Sequence, residues 1–157
     1  MDILQKFQNK FQANHLYLDS NSIIYDCLRQ IKYTGDNHEF ERQLINTTCK
    51  NIEAYVQQIS PSHLVYIAFD GVAPVAKLNQ QKNRRYKSWY QNEISREIFK
   101  KDKPDVWNTT AITPGTKFMA ELNAGVSKHF TSNLAPTSMK GLEITVSGSN
   151  FVGEGEH

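Results

Sequence analysis

Residues 64–87 read LVYIAFDGVAPVAKLNQQKNRRYK. The first six, Leu64 to Phe69, are apolar and rich in β-formers, too short for an isolated helix, and predict a buried strand with Asp70 at its carboxyl end. In open α/β sheets, ligands sit at that end. Gly71 and then Ala73-Pro74 mark a turn into a helix, since proline is tolerated in a first helical turn. No acid follows until Glu93, and Lys77, Lys82, Arg84, Arg85 and Lys87 fall in the gap. On a helix Lys77, Gln81, Arg84 and Arg85 stand at i, i+4, i+7 and i+8, within an arc of roughly 100°. Arginine offers a planar fork and lysine a compact charge, so the set predicts a cradle for a terminal phosphate. A solvated basic helix face is the plainer reading of the same residues.

The same order of strand, acid and helix occurs upstream. HLYL, residues 15–18, is a short strand candidate ending at Asp19, and after Ser20-Asn21-Ser22 come Ile23, Ile24, Cys27, Leu28 and Ile31 at helical spacing. Asp19 also suits a helix N-cap. Lys32 to His38 is polar and carries Gly35 and Asp36, a loop by composition. Phe40, Leu44, Thr48, Ile52, Val56 and Ile59 then predict an amphipathic helix through Ser60, stopped by Pro61. This helix leads into the Leu64 strand, completing a crossover that implies parallel pairing.

Beyond residue 87, Trp89, Tyr90, Ile94, Ile98 and Phe99 extend an apolar pattern, so the basic helix is expected to run toward Lys100 with its second half packed. Asp105 to Ala111 reads as irregular. Thr113-Pro114-Gly115-Thr116 marks a turn opening a helix through Phe118, Met119, Leu122, Val126 and Phe130. LEITV, residues 142–146, is a third strand candidate, followed by a glycine-rich tail bearing Glu154 and Glu156. At the other end, Ile3, Leu4, Phe7 and Phe11 suggest a short amphipathic helix.

The chain has 157 residues, enough for one domain with a real core. Its net charge of +2 is too small to argue nucleic-acid binding, so any electrostatic case rests on the local basic cluster. Cys27 and Cys49 are the only cysteines and lie in neither a CxxC nor a Cys/His cluster, which points away from a zinc site or disulfide framework. No apolar run approaches the ~20 residues needed to span a bilayer, and MDILQKFQNKFQANH is too polar for a secretory signal. The expected location is intracellular, cytoplasmic or nuclear, without a membrane partner.

Three strand candidates thus deliver acids at or just after their carboxyl ends: Asp19, Asp70, and the pair Glu154 and Glu156. With the strands side by side, four carboxylates share one rim and their repulsion must be offset by bound cations. Oxygen-only ligands favour Mg²⁺ or Mn²⁺ over zinc or copper. Two such ions activate water, orient a scissile phosphate and stabilise the leaving oxygen. Strand-end aspartates and an acidic tail also occur in α/β proteins without catalysis.

DGVAPVAKLNQQKNRRYK, residues 70–87, resembles the signature of the eukaryotic 5′-to-3′ exoribonuclease (XRN) family. Three further stretches agree with that family in the same order: LDSNSIIYDC at 18–27, ITPGTKFM at 112–119 and SGSNFVGEGEH at 147–157. The resemblance implies a PIN/5′-nuclease-like α/β fold, a mostly parallel sheet flanked by helices. It also implies hydrolysis of 5′-monophosphorylated RNA to mononucleotides in RNA turnover, with Mg²⁺ or Mn²⁺. Asp19, Asp70, Glu154 and Glu156 would be the catalytic metal ligands. Lys77, Gln81, Arg84 and Arg85 would hold the 5′-phosphate, with Asn21 in the same site. Tyr25 stands where relatives carry a histidine that stacks on the first base, and its ring retains the capacity to stack. Lys117 replaces a family glutamate, and the opening residues have no close copy of the family's MGVPxFFRWL-type start. Relatives continue past GEGEH into further metal-binding carboxylates. The chain is therefore expected to be a truncated N-terminal portion, residues 1–157, of one nuclease domain, incomplete at the C-terminus, with a separately encoded C-terminal fragment as a candidate partner. Two alternatives remain: an inactive remnant that binds 5′-phosphorylated RNA ends, and a structure-specific 5′ DNA nuclease.

Overall fold

The computed structural model of this chain describes residues 13–71, 107–131, 139 and 141–148, together with Asn83, Tyr86, Lys87, Tyr90, Gln91 and Ile94. Three strands, β1 (His15–Asp19), β2 (Leu64–Ala68) and β3 (Glu143–Ser147), form a parallel sheet in the order β1-β2-β3. Among the continuously described stretches, three helices accompany it: α1 (Asn21–Gln30), α2 (Asn37–Ile59) and α3 (Lys117–Thr131). The fold is α/β with flanking helices, as the strand, acid, helix order predicts. No helix among the described residues is long and apolar enough to cross a membrane.

Side chains alternate across the strands, so one face of the sheet carries Leu16 and Leu18 from β1, Val65 and Ile67 from β2, and Ile144 and Val146 from β3. These join a single core with the inward stripes of the helices. Phe40, Leu44, Ile52 and Val56 come from α2, and Phe118, Met119, Leu122, Val126 and Phe130 from α3. The opposite face bears His15, Tyr17 and Tyr66, with the two tyrosine rings 5.9 Å apart and Tyr17 exposed.

The boundaries of α2 differ from the sequence expectation for a local reason. It begins at Asn37, inside the stretch expected to be loop, because the Asp36 carboxylate accepts from the His38 and Glu39 N–H groups at 2.9 and 3.2 Å. That satisfies two of the orphan donors of a first turn. Its stop is made one residue before Pro61. Ser60 adopts a left-handed conformation (φ 49°) and its N–H closes on Val56 O at 2.8 Å. Proline then follows an end that already exists.

Trp107 lies in the span expected to be irregular, yet it is buried. Its ring packs 5.4 Å from Phe40 and 5.1 Å from Phe118, joining α2 to α3, and its Nε1–H donates to Glu41 Oε1 at 3.1 Å. A short 3₁₀ turn, Thr109–Ala111, follows. At the start of α3, Thr116 Oγ1 accepts from the Met119 N–H and donates to Thr113 O, so the Thr-Pro-Gly-Thr turn is a helix cap as well. β3 is offset by one residue from the expected 142–146. Its register with β2, Leu64 opposite Glu143 through Ala68 opposite Ser147, decides that offset.

The backbone is helical at Asn83, Tyr86, Lys87, Tyr90, Gln91 and Ile94. The expectation that its second half packs is corrected at two positions. Tyr90 is 61% and Ile94 37% exposed. Apolar spacing marks a face but does not supply the surface that would cover it.

Gly125 on α3 faces Ile45 on α2 so closely that an added Cβ would lie 2.7 Å from Ile45 Cγ2. The stiff β-branched side chain cannot swing away cheaply. Overpacking of this kind costs about 1–3 kcal/mol, of which alanine's helix propensity offsets at most about 1. Gly125→Ala should therefore lower the stability measured by urea unfolding, and Ile45→Ala in the same chain should relieve part of that loss. A strictly additive double mutant would remove the contact as its cause.

Cys27 and Cys49 are both buried and unbridged, as expected for reduced thiols. Burial, followed by the neighbouring Cys27, pushes the Cys49 thiol up to about 11. In the unfolded chain this thiol ionises near its ordinary 9.0, whereas the native thiol keeps its proton to about 11. Native stability therefore falls as pH rises through that window. Cys49→Ala lacks this titration, so the difference in thermal midpoint between wild type and variant should narrow from pH 9 to pH 11. A constant difference would contradict the assignment.

Candidate functional site

The site follows from the register of the two strands that carry the aspartates. Asp19 lies opposite Ala68, and the Ser20 N–H continues the ladder to Ala68 O at 2.8 Å. Asp70, two residues past Ala68, therefore emerges at the same rim as Asp19. On the other side of β2, the Phe69 N–H reaches Ser147 O at 3.0 Å, so the carboxyl end of β3 shares this rim. Phe69 and Gly71 are buried while Asp70 is half-buried, which anchors the backbone on both sides of the carboxylate. Asp19 is exposed and Ser20 is wholly buried between it and α1.

Asn21, the first residue of α1, ties the two acids together. Its backbone N–H donates to Asp19 Oδ1 at 3.3 Å. Its side-chain Nδ2 donates to Asp70 Oδ2 at 2.5 Å, and its Oδ1 accepts from the Asp70 N–H at 3.3 Å. The side-chain amide thus meets Asp70 at two points, carboxylate and backbone, across 49 positions of sequence. The N-cap expectation for Asp19 is corrected by one residue. The N-cap position belongs to Ser20, which makes no side-chain cap bond, while the Asp19 carboxylate receives an N–H of the first turn and also stands at the rim. Negative charge at a helix N-terminus is favoured by the aligned peptide dipoles, which helps hold an aspartate there.

Tyr25 lies one turn after Asn21 on the same side of α1 and is 43% exposed. The helical positions Asn83, Tyr86, Lys87, Tyr90, Gln91 and Ile94 are all exposed. Lys77, Gln81, Arg84 and Arg85, the expected phosphate cradle, lie outside the described residues, as do Glu154 and Glu156. The structure thus brings together Asp19, Asn21 and Asp70 of the expected site residues, with Tyr25 one turn away.

The rim's described donors are two carboxylates and an asparagine amide, all oxygen on the acceptor side, the kind preferred by hard divalent cations. Among the described residues no group of three or more His, Cys, Asp or Glu is assembled that could hold a metal ion. In kind the donors fit Mg²⁺ or Mn²⁺, and Asp19 and Asp70 are the described residues that would contribute. The bridging role of Asn21 is absent from the one-dimensional pattern. The signal available was an Asp-Ser-Asn run at a strand-to-helix junction, where short polar side chains bond nearby backbone.

Known proteins resemble this chain along most of its sequence. The model of the family described as XRN 5′-3′ exonuclease N-terminus matches residues 2–157. The chain is 33% identical over 152 residues to 5′-3′ exoribonuclease 1 of Saccharomyces cerevisiae, covering 93% of this chain and 10% of that protein. It is 34% identical over 167 residues to 5′-3′ exoribonuclease 2 of Cryptococcus neoformans, covering 95% and 15%. With the 5′-3′ exoribonuclease 2 homolog of Drosophila melanogaster it shares 33% over 167 residues, covering 95% and 18%. The chain therefore spans under a fifth of the length of these relatives.

Proposed function

This chain belongs to the XRN 5′-3′ exonuclease family through that family's N-terminal region, and we infer from the membership that it acts on RNA carrying a 5′-monophosphate, releasing mononucleotides. The observation that carries the reading is the meeting of Asp19 and Asp70 at neighbouring strand ends with Asn21 between them. Two carboxylates at one rim suit phosphodiester chemistry because they would hold divalent cations beside the substrate's phosphate. When bound, such ions supply an activated water and charge stabilisation for the leaving oxygen.

The chain's own residues divide the remaining work. Asp19 and Asp70 hold cations, with Glu154 and Glu156 as further ligands from the segment after β3. Tyr25 offers an aromatic ring for stacking a base, a contact typically worth about 1–3 kcal/mol. Lys77, Gln81, Arg84 and Arg85 cradle the terminal phosphate, and this sets the direction of attack from the 5′ end. A bulky capped end would not fit such a cradle. RNA with a 5′-monophosphate is the partner under this proposal, and the site of action is the cytoplasm or the nucleus.

The test is incubation of the chain, alone and with the C-terminal part of a family member, with 5′-monophosphorylated and 5′-triphosphorylated RNA in Mg²⁺ or Mn²⁺. Nucleotide release from the monophosphorylated RNA is expected, reduced by Asp70→Ala more than the ~10–100-fold typical of changes outside the immediate metal shell. Release that is unaffected by Asp70→Ala, or absent in both settings, would overturn the hydrolytic reading. In a salt titration of RNA binding, Arg84→Ala should flatten the log-log slope by about 0.7, the single-strand increment for one lost phosphate contact. An unchanged slope counts against the cradle.

A further inference from the structure

We propose that Asn21 is the positioning residue that couples Asp19 to Asp70, holding the two carboxylates in one cation-ready arrangement rather than contacting the substrate itself. The proposal rests on the metal-dependent reading above and refines it. Three hydrogen bonds carry it: Asn21 N–H to Asp19 Oδ1, Asn21 Nδ2 to Asp70 Oδ2, and the Asp70 N–H to Asn21 Oδ1. The first comes from the backbone at the start of α1, so it is set by the strand-to-helix turn. The other two come from the side chain and reach the far end of the site.

An amide is suited to this position for reasons of charge and polarity. One end donates to a carboxylate oxygen while the other accepts from a backbone N–H, a complementarity that neither aspartate nor lysine offers. Aspartate would place a third negative oxygen against Asp70. A hydroxyl is too short to meet both groups. Asn21 therefore fixes the orientation of the Asp70 carboxylate relative to its own backbone, and through α1 relative to Asp19. Groups that orient ligands in this way typically contribute 10–100-fold to metal affinity. The side chain is half-buried and α1 is anchored beside it by buried Ser20, Ile23 and Ile24, so the amide is held by packing as well as by its bonds.

The test is Mn²⁺ titration of the full 157-residue chain followed by electron paramagnetic resonance of the free ion, with no RNA present. Asn21→Ala should bind Mn²⁺ about 10–100-fold more weakly than wild type while keeping its circular dichroism spectrum. Asn21→Gln, which retains an amide but displaces it by one methylene, should be similarly weak and guards against misfolding of the alanine variant. Asp26→Asn, which removes an exposed carboxylate from the same helix, should bind as wild type. Equal affinity in folded Asn21→Ala and wild type would overturn the proposal and leave the nuclease reading standing. Should wild type itself bind no Mn²⁺, the cation reading fails for both, and the positioning claim is overturned with it. A metal-free measurement reads the coupling separately: Asn21→Ala should shift the Asp70 amide and carboxyl-carbon resonances while those of the core around Ile67 stay in place, and unmoved Asp70 resonances would exclude the coupling.

Discussion

The parallel pairing of β2 with both of its neighbours is the constraint on which everything else depends. With Asp19 opposite Ala68 and Ala68 opposite Ser147, the carboxyl ends of three strands finish at one level. A shift of one residue on β1 would turn Leu16 and Leu18 away from the core and bring Tyr17 into it. The hydrophobic alternation therefore locks the register, and the register in turn places the acids. Stability and site geometry are consequences of the same side chains.

The helices make this arrangement durable. α2 and α3 cover the sheet face that carries Val65 and Ile67, and they approach each other closely at Gly125 and Ile45. Trp107 closes the end of that layer between Phe40 and Phe118. α1 has a second task. Its first residue holds the two aspartates, so the packing of Ile23, Ile24 and Cys27 beneath it reaches the rim through one helical turn. Within the described residues, the acids sit where a packed core meets solvent, which leaves them exposed enough to meet a charged ligand and anchored enough to keep their spacing.

Much of the fold was legible in the chain because local patterns and tertiary demands agree. Leu64–Ala68 of LVYIAF and Glu143–Ser147, one residue on from LEITV, are strands in a sheet, HLYL extends through Asp19, and the stripe from Phe40 to Ile59 is one amphipathic helix. Where the two levels separated, the cause was physical. Asp36 could recruit two N–H groups and so moved a helix start into a supposed loop. Trp107 gave no periodic signal because a single residue in an irregular segment has no period, yet its ring fills the gap between two helices. Tyr90 and Ile94 carry the spacing of a packed face without being buried.

By itself, the sequence determined where these strands and helices lie to within a few residues, that one acid ends β1 and another follows β2, and to which family the chain belongs. Those properties reside in composition and spacing over short stretches. Only the tertiary structure decided that Asp19 and Asp70 finish at one rim and that Asn21 links them. The reason is that 49 positions separate Asn21 from Asp70, and no local pattern records a contact made by the register of two strands.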